Sequence, residues 1–487
     1  MKNKIIIFFA LFFGLVACDP SDFDDTNVDP RRVTEAPTRT LLTYSLQNLP
    51  FTVWNTPIRN VAGYSTVHLN FYSQYLSEGP YPAASLYNTR NLSWSAWYTG
   101  PLYNLQTIIN LNNEDSPMAD LGNGSKNNQL AVARILKAYY FWFLTDNYGD
   151  IPYFEALKGN EVLQPKYDKQ EDIYNDLFKE LTEAEAMINV NEAGVTGDIL
   201  LGGDMAAWKR FANTTRLFMA LRLMEVNPSK AQTEMTAAIN AGVIESNAQN
   251  IVHQFIGGDP NNWNPWYENY SNDNRNDYAI SSRLGNYMLE TEDPRVFVYG
   301  EVLDGEVKTL PYGSSAARNI PGIYSRVGAN LQDAGATAPI FTYSQVAFAK
   351  AEAVNRGFSI PSAAPAADLY YDGIKASWQF WGVYDEAMYN EFIAQPEIAY
   401  TGANGLEKII TQKWVHQYQN GFEAWTDWRR TGYPALTPAP DAVDARGIPR
   451  RMGYPSNARA LNEANYDAVL ERQGADDNYT RVWWDVE

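Results

Sequence analysis

The side chains best suited to hold a ligand lie between residues 257 and 277, where aromatic rings alternate with amides and carboxylates. An aromatic face can cover the apolar face of a pyranose ring, and amides or carboxylates can pair with its hydroxyls. Ligand pockets commonly combine such rings with a few placed polar groups. The segment therefore predicts a ligand-binding loop, with candidate contacts at Trp263, Trp266, Tyr267, Asn276 and Asp277.

A second loop, at residues 77–91, is rich in proline, tyrosine and asparagine. We predict that its Tyr81, Tyr87 and Asn88 join the same site. The alternative is that the rings of both loops only pack against the protein body or against a partner. The ligand-binding interpretation predicts that replacing Trp263 and Trp266 together by alanine abolishes ligand retention without unfolding the protein.

The sequence offers little for catalysis or metal binding. Its three histidines, His68, His253 and His416, stand far apart, and none has a second histidine or cysteine at ligand spacing, which argues against a zinc site. No Gly-x-Ser-x-Gly motif is present. We predict that the protein is not an enzyme and has no cofactor, with a structural calcium ion near Asp273 and Asp277 as an open alternative.

The single cysteine, Cys18, ends an N-terminal apolar run that follows a short basic segment. This order is typical of a secretory signal, and the apolar run is shorter than the ~20 residues that a membrane-spanning helix needs. The Leu-Val-Ala-Cys ending resembles a bacterial lipobox. We therefore predict a signal peptide over 1–17 and lipidation of Cys18, followed by an acidic tether over 18–33 that anchors the protein to a membrane.

The composition of the chain narrows the choice of partners and of membrane contacts. The 487 residues carry a net charge of −19, which argues against nucleic acid as a partner. Beyond residue 18 no apolar run is long enough to cross a membrane, so we expect contact with the membrane through the lipid alone. If Cys18 is lipidated, no disulfide can form, and stability must come from packing.

The periodicity of apolar residues predicts a mainly α-helical protein. Ser125 caps one helix, Asp204 starts another, and Thr342 with Gln345 forms a capping box. Asp168 with Glu171 has the spacing of a further capping box. The predicted helices are 34–49, 59–76, 92–111, 126–148, 168–188, 204–227, 342–357, 368–380 and 404–421.

The predicted helices continue on both sides of every long loop, and no proline- or serine-rich linker divides the chain. We therefore predict one domain over residues 34–487. The segment 300–338 is rich in glycine and alanine and is expected to be irregular, with a hairpin around 302–308.

Motifs along nearly the whole chain then indicate a family. The longest reads Gly-Phe-Glu-Ala-Trp-Thr-Asp-Trp-Arg-Arg-Thr-Gly-Tyr-Pro, and the others are shorter. They lie at residues 27–30, 148–156, 164–168, 202–208, 341–345, 421–434, 448–451 and 482–485. In order and spacing the chain resembles the SusD/RagB family of outer-membrane nutrient-binding lipoproteins, and within it the SusD-like type 2 branch, described as starch-binding and associated with the outer membrane.

The resemblance implies a SusD-like fold of tetratricopeptide-like helix pairs with long loops and minor β hairpins. It also implies a SusC-like TonB-dependent transporter as partner, an oligosaccharide as ligand, and a lipid-anchored place on the outer membrane, exposed at the cell surface. In the family, ligand contacts come partly from the loop after the second helix, where residues 77–91 lie.

Three alternatives stay open at the level of sequence. The same architecture could bind peptides instead of glycans. A helical glycoside hydrolase would need two carboxylates about 5–10 Å apart across a cleft, which abundant acidic residues do not exclude. A helical scaffold could bind protein only.

The segment around Trp425 and Trp428 is predicted to be structural. Its two tryptophans lie on one helix face, and Asp427 or Glu423 can pair with Arg430. We expect a buried ion pair that holds helices together.

Overall fold

The computed structural model describes residues 36–57, 66–88, 92–361 and 364–486, and residues 38–487 form one compact unit. The predicted signal peptide, Cys18 and the acidic tether lie outside the described residues. Helices dominate the described part, as the sequence predicts. No helix there combines the length and apolarity needed to span a bilayer.

The main helices follow one another along the chain, separated by turns and loops. Their bounds are α1 Thr38–Asn48, α2 His68–Tyr72, α3 Tyr103–Asn113, α4 Lys126–Tyr148, α5 Gln170–Met187, α6 Met205–Val226, α7 Pro228–Ala241, α8 Ser282–Glu290, α9 Tyr343–Asn355, α10 Ala366–Phe380, α11 Glu386–Ala394, α12 Gly405–His416, α13 Gly421–Thr431 and α14 Glu463–Gln473. Neighbours in sequence pack in pairs, α3 with α4, α4 with α5, α6 with α7 and α9 with α10. This pairing is the tetratricopeptide-like arrangement that was expected.

The central helix α4 matches its predicted bounds because both ends carry strong signals. The Ser125 hydroxyl accepts from the N–H of Asn128, and Gly149 ends the helix at a φ of +80°. Nearly every side chain between them is buried, as expected for a helix that is apolar on most faces. The cap at Asp204 and the capping box at Thr342 and Gln345 are confirmed as well.

Other helix boundaries differ from prediction. Asp168 belongs to a strand, and its Oδ2 accepts from the N–H groups of Tyr153 and Phe154 instead of capping α5. Gly421 does not close α12, which ends at His416; it begins α13, where a Cβ would run into the backbone carbonyl of Leu69.

Two predicted helices at the N-terminal end are shorter than expected. The predicted helix 92–111 is broken at Gly100, whose φ and ψ are not helical, so the regular helix α3 begins only at Tyr103. Of the predicted helix 59–76, the structure describes the part from residue 66, which holds the five-residue α2.

Six short strands form three antiparallel pairs in the described residues. They are β1 Leu76–Glu78 with β5 Tyr278–Ile280, β2 Ile151–Pro152 with β3 Tyr167–Asp168, and β4 Ile251–Gln254 with β6 Thr337–Phe341. The hairpin predicted at 302–308 reduces to a tight turn with a single bridge between Leu303 and Glu306. Two of the three pairs join segments far apart in sequence, which short-range patterns do not reveal.

A network of buried charges ties the helices together. Arg222 on α6 pairs with Asp146 at 3.2 Å and with Glu423 at 2.6 Å. Asp427 pairs with Arg430 at 2.7 Å, which confirms one of the two pairings predicted for this segment. Glu423, the other candidate partner of Arg430, pairs with Arg222 instead.

Candidate functional site

The strand pair β1–β5 brings the two predicted loops together. Leu76 is the cross-strand partner of Ile280, and Glu78 is that of Tyr278. The ladder continues into the loops, since the N–H of Gly79 donates to the carbonyl oxygen of Asp277 at 2.9 Å. We call residues 77–88 and 257–278 together the loop surface.

Tyr81 is the most exposed aromatic residue of the loop surface, with 68% of its area open to solvent. Glu78 stabilises the loop that carries Tyr81, because its Oε2 accepts from the N–H groups of Ala84 at 2.7 Å and Ser85 at 3.1 Å. The hydroxyl of Ser85 in turn accepts from the N–H of Glu78 at 2.9 Å. The Tyr81 ring is therefore exposed to solvent, on a loop whose two ends are joined by these hydrogen bonds.

Burial changes the acidity of Glu78. Desolvation raises its pKa from the ordinary 4.5 to about 7, against its two backbone hydrogen bonds, and the nearby charge of Asp277 adds to the rise. The Glu78 side chain is half-buried at the base of the loop surface.

Asp277 is mostly buried, and its carboxylate is engaged by Arg275 at 2.8 Å. The pKa of the Arg275 guanidinium is raised, first of all by this hydrogen bond to Asp277. The exposed guanidinium offers donors for ligand hydroxyls on a segment that is hydrogen-bonded to the loop of Tyr81. Asp277 orients this group through its Oδ2, which accepts the hydrogen bonds from Arg275.

Trp263 and Tyr267 form the aromatic pair of the second loop. Their rings meet edge to face, with centroids 5.1 Å apart, and both are half-buried. The indole N–H of Trp263 donates to the carbonyl of Gly257 at 2.8 Å, which fixes the ring. These two rings keep part of their surface open to solvent and can contact a ligand.

Two of the predicted contact residues are buried instead. Trp266 has no exposed area and stacks on Tyr270 with centroids 5.4 Å apart. Tyr87 is 2% exposed, and its hydroxyl accepts from Tyr312 at 3.0 Å and from the N–H of Ala439 at 3.1 Å. Neither ring has a face available for a ligand in this structure, because both fill the space under the loops.

The two predicted asparagines differ in exposure, since Asn88 is exposed and Asn276 is half-buried. Asn88 is exposed and directly follows Tyr87, whose backbone has a φ of +64°. The Asn276 Oδ1 accepts from Arg326 at 3.2 Å, and Arg326 also pairs with Glu301 at 2.9 Å. Asn276 is thus held in place, whereas the Asn88 side chain faces solvent.

A third segment, residues 311–324, borders the loop surface and was missed as a contributor. The N–H of Arg318 donates to the carbonyl of Gly79 at 2.9 Å, and Ile323 is 51% exposed. The composition of this segment predicted only an irregular loop, because the contact depends on pairing with a strand over 200 residues away.

The residues considered for calcium do not converge. Asp273 accepts from Asn272, and Asp277 is paired with Arg275. Within the described ranges no group of three or more histidine, cysteine, aspartate or glutamate side chains has the arrangement of a metal site. A structural calcium ion stays an untested prediction.

Comparison with known proteins places this geometry in context. A family described as starch-binding associating with outer membrane, SusD-like type 2, matches residues 30–455. Comparison with curated protein sequences returns no match.

Several solved structures share the fold over nearly their whole length. A chitin-binding protein is 29% identical with a TM-score of 0.76, covering 92% of this chain and 100% of its own. A chitin-binding SusD homolog from Flavobacterium johnsoniae is 25% identical with a TM-score of 0.76, covering 92% and 98%. A SusD homolog from Bacteroides uniformis is 27% identical with a TM-score of 0.76, covering 92% and 99%.

Proposed function

The chain belongs to the SusD-like family of starch-binding proteins that associate with the outer membrane, and on this premise we propose that it captures an oligosaccharide at the loop surface without cleaving it. In this proposal Cys18 carries the lipid anchor, and the captured ligand passes to a SusC-like TonB-dependent transporter. The exposed ring of Tyr81, on a loop that is hydrogen-bonded to the segment of Arg275 and Asp277, is the observation that carries the proposal, because the loop surface thereby combines a stacking face with hydrogen-bond donors.

A neutral glycan is the ligand class best supported. The net charge of −19 disfavours acidic glycans at long range. Two of the similar structures are named as chitin-binding, and the family description names starch. Chito-oligosaccharides and malto-oligosaccharides are therefore the first ligands to test, with peptides as the alternative class.

The carboxylates at the loop surface have structural partners, which supports binding without catalysis. Glu78 has the raised pKa of a general acid, and Asp277 lies near it. However, Glu78 Oε2 holds two backbone N–H groups, and Asp277 is held by Arg275. A glycosidase would need both groups free to reach a glycosidic oxygen and C1.

The binding test uses the chain with Cys18→Ser, which cannot be lipidated, and calorimetric titration with chitohexaose, maltohexaose and a peptide mixture. We expect Tyr81→Ala to weaken glycan binding roughly five- to tenfold, the value of one stacked ring. The control is Phe297→Ala, which removes another exposed ring (52% exposed, against 68% for Tyr81) on a short helix outside the loop surface.

Three results would contradict the proposal. Peptide binding without glycan binding would show that the ligand is a peptide and not an oligosaccharide. Equal affinities for the Tyr81 and Phe297 variants would remove the loop surface from the site. Release of reducing ends during incubation with either glycan would make the protein an enzyme.

A further inference from the structure

A cavity of about 570 Å³ is lined by residues of α3, α4 and α5 and of the segment 153–161, which follows β2. This volume lies within the usual range of small-molecule sites, roughly 300–1,000 Å³. None of the described residues that line the cavity belongs to the loop surface. The helices therefore form a second concave place of ligand size, separate in its residues from the loop surface.

Two aromatic rings of the cavity lining are exposed. Tyr103, the first residue of α3, is 51% exposed, and Phe154, the second residue after β2, is 48% exposed. Because both residues line the cavity and keep much of their surface open, a ligand can reach their rings. The apolar face of a pyranose is one of the groups that stack on such rings.

The Phe154 ring is held in place by its backbone and by its neighbours. Its N–H donates to Asp168 Oδ2 at 2.8 Å, and its ring meets that of Tyr153 edge to face, with centroids 4.8 Å apart. Tyr153 is fixed in turn, because its ring meets that of Phe141 at 4.7 Å and its hydroxyl donates to Asp176 Oδ2 at 2.8 Å. A ligand that stacks on Phe154 therefore orders little of the protein, which lowers the entropic cost of binding.

The polar groups of the lining include free donors and a free acceptor. Lys137 is half-buried, and its Nζ donates to Gln106 Oε1 at 3.1 Å, which leaves further N–H groups for a ligand. Asp176 is half-buried as well, and its Oδ1 accepts from no described residue. Asn110 is exposed and accepts from Gln106 at 2.9 Å, while its Nδ2 donates to no described residue.

The unpaired charges of the lining balance. Of its five charged residues, Glu180 is paired with Arg134 at 2.9 Å. The other four form no ion pair with a described residue, and two carry each sign: Lys137, Lys158, Glu161 and Asp176. An ionic ligand of either sign would meet both attraction and repulsion here, whereas a hydroxyl group can accept from an amine and donate to a carboxylate. The lining therefore favours an uncharged ligand that is rich in hydroxyls.

We propose that this cavity is a second glycan site, which binds a short stretch of a neutral oligosaccharide. Pyranose rings stack on Phe154 and Tyr103, and their hydroxyls accept from Lys137 Nζ and donate to Asp176 Oδ1. The choice of a glycan as ligand rests on the function proposed above, whereas the place of the site rests on the cavity alone. Two sites on one chain hold a long polysaccharide more firmly than one site, because the second contact forms within a complex that already exists.

The test is hydrogen–deuterium exchange of the Cys18→Ser chain, read by mass spectrometry. The chain is titrated with chitohexaose, maltohexaose or a peptide mixture up to about 10 mM, roughly tenfold above a millimolar Kd. We expect a glycan to slow exchange in two separate segments, 77–88 at the loop surface and 153–161 at the cavity. The concentration dependence in each segment gives the apparent Kd of its own site.

The two segments separate a failure of this proposal from a failure of the proposed function. Slower exchange at 77–88 alone would overturn the second site and leave glycan capture at the loop surface intact. Slower exchange at 153–161 alone would support the cavity and remove the loop surface. Slower exchange at 153–161 with the peptide mixture and with neither glycan would overturn the ligand class proposed for the cavity.

Phe154→Ala and Lys137→Met are the matching variants. Both should fold, because Phe154 is exposed and Lys137 forms no ion pair with a described residue. We expect each to raise the apparent Kd at 153–161 at least about fivefold, through the loss of a stacked ring or of a charged donor, and to leave the Kd at 77–88 unchanged. The control is Lys179→Met, which removes an exposed lysine of α5 outside the cavity. An unchanged Kd at 153–161 in both matching variants would overturn the site.

Discussion

The N–H of Gly79 donates to the carbonyl oxygen of Asp277 at 2.9 Å, although the two residues lie 198 positions apart in the sequence. This bond extends the β1–β5 ladder into both loops and joins the loop of Tyr81 to the segment that holds the Arg275–Asp277 ion pair. The relationship makes the loop surface one unit, so changes at its base are expected to act on both loops at once.

Gly79→Ala tests that unit. A Cβ at Gly79 would lie 2.6 Å from the carbonyl oxygen of Arg318 and 2.7 Å from Ile320 Cγ1, so one of the three segments must shift. We expect a loss of about 1–3 kcal/mol in the free energy of unfolding, as for other overpacked sites, together with weaker glycan binding. Denaturant unfolding and titration measure the two effects. The control is Gly258→Ala in the second loop, where no atom lies within 4 Å of the added Cβ; a loss equal to that of Gly79→Ala would contradict the idea.

The two tryptophans of the second loop should behave differently when each is replaced by alanine. Trp266 is fully buried against Tyr270, so its removal opens a cavity and should cost about 3–5 kcal/mol of unfolding free energy. Trp263 is half-buried, and its removal should weaken ligand binding with a much smaller loss of stability. The double replacement predicted from sequence to leave the fold intact is therefore expected to destabilise it. Equal melting temperatures for the two single variants would contradict this assignment.

Glu78→Gln should change how stability depends on pH. Because the folded pKa of Glu78 is raised from 4.5 to about 7, the folded state binds this proton more tightly than the unfolded chain. The resulting contribution is complete below pH 4.5 and is lost as pH rises through 7. A glutamine cannot ionise, so the stability of the variant relative to the parent should rise by roughly 1–2 kcal/mol between pH 5 and pH 8. Thermal unfolding across this range measures the difference, and a constant difference would refute the assignment.

Arg430→Met should be strongly destabilising. Arg430 pairs with Asp427 at 2.7 Å and with Glu352 at 2.6 Å. Its removal leaves two buried carboxylates with one cation each, Lys413 at 2.9 Å from Asp427 and Arg356 at 3.5 Å from Glu352. We expect a loss of about 3–5 kcal/mol.

Arg459→Met is the control, because Arg459 is 61% exposed and its pairing with Asp467 should be worth less than about 1 kcal/mol. Chemical denaturation of both variants gives the comparison; similar midpoints would show that the network contributes little.

Local signals were sufficient for much of the helical body. The bounds of α4 follow from Ser125 and Gly149, and the start of α9 follows from the Thr342 capping box, since each signal acts within one helical turn. The sequence alone misplaced Gly421. A side chain at this position would clash with the backbone of Leu69, and this contact joins residues that are remote along the chain.

The candidate site was only partly predictable for the same reason. Composition identified both loops, and Tyr81, Trp263 and Tyr267 have surface that a ligand can reach. Composition did not separate these three residues from Trp266 and Tyr87, because the sequence of a loop does not show whether an aromatic side chain faces water or packs under the loop. The β1–β5 pairing, which decides this, has no local signature.

The pairing of Arg222 with Glu423 also constrains the order of events during biosynthesis. Arg222 on α6 precedes Glu423 on α13 by 201 positions, so the ribosome adds the cation long before the anion. Until α13 emerges, closing the interior around Arg222 would bury a guanidinium that has only Asp146 to balance it, which is costly. The helical body should therefore stay loosely collapsed until most of the polypeptide has been synthesised, a state in which a chain can still be threaded through a secretion channel.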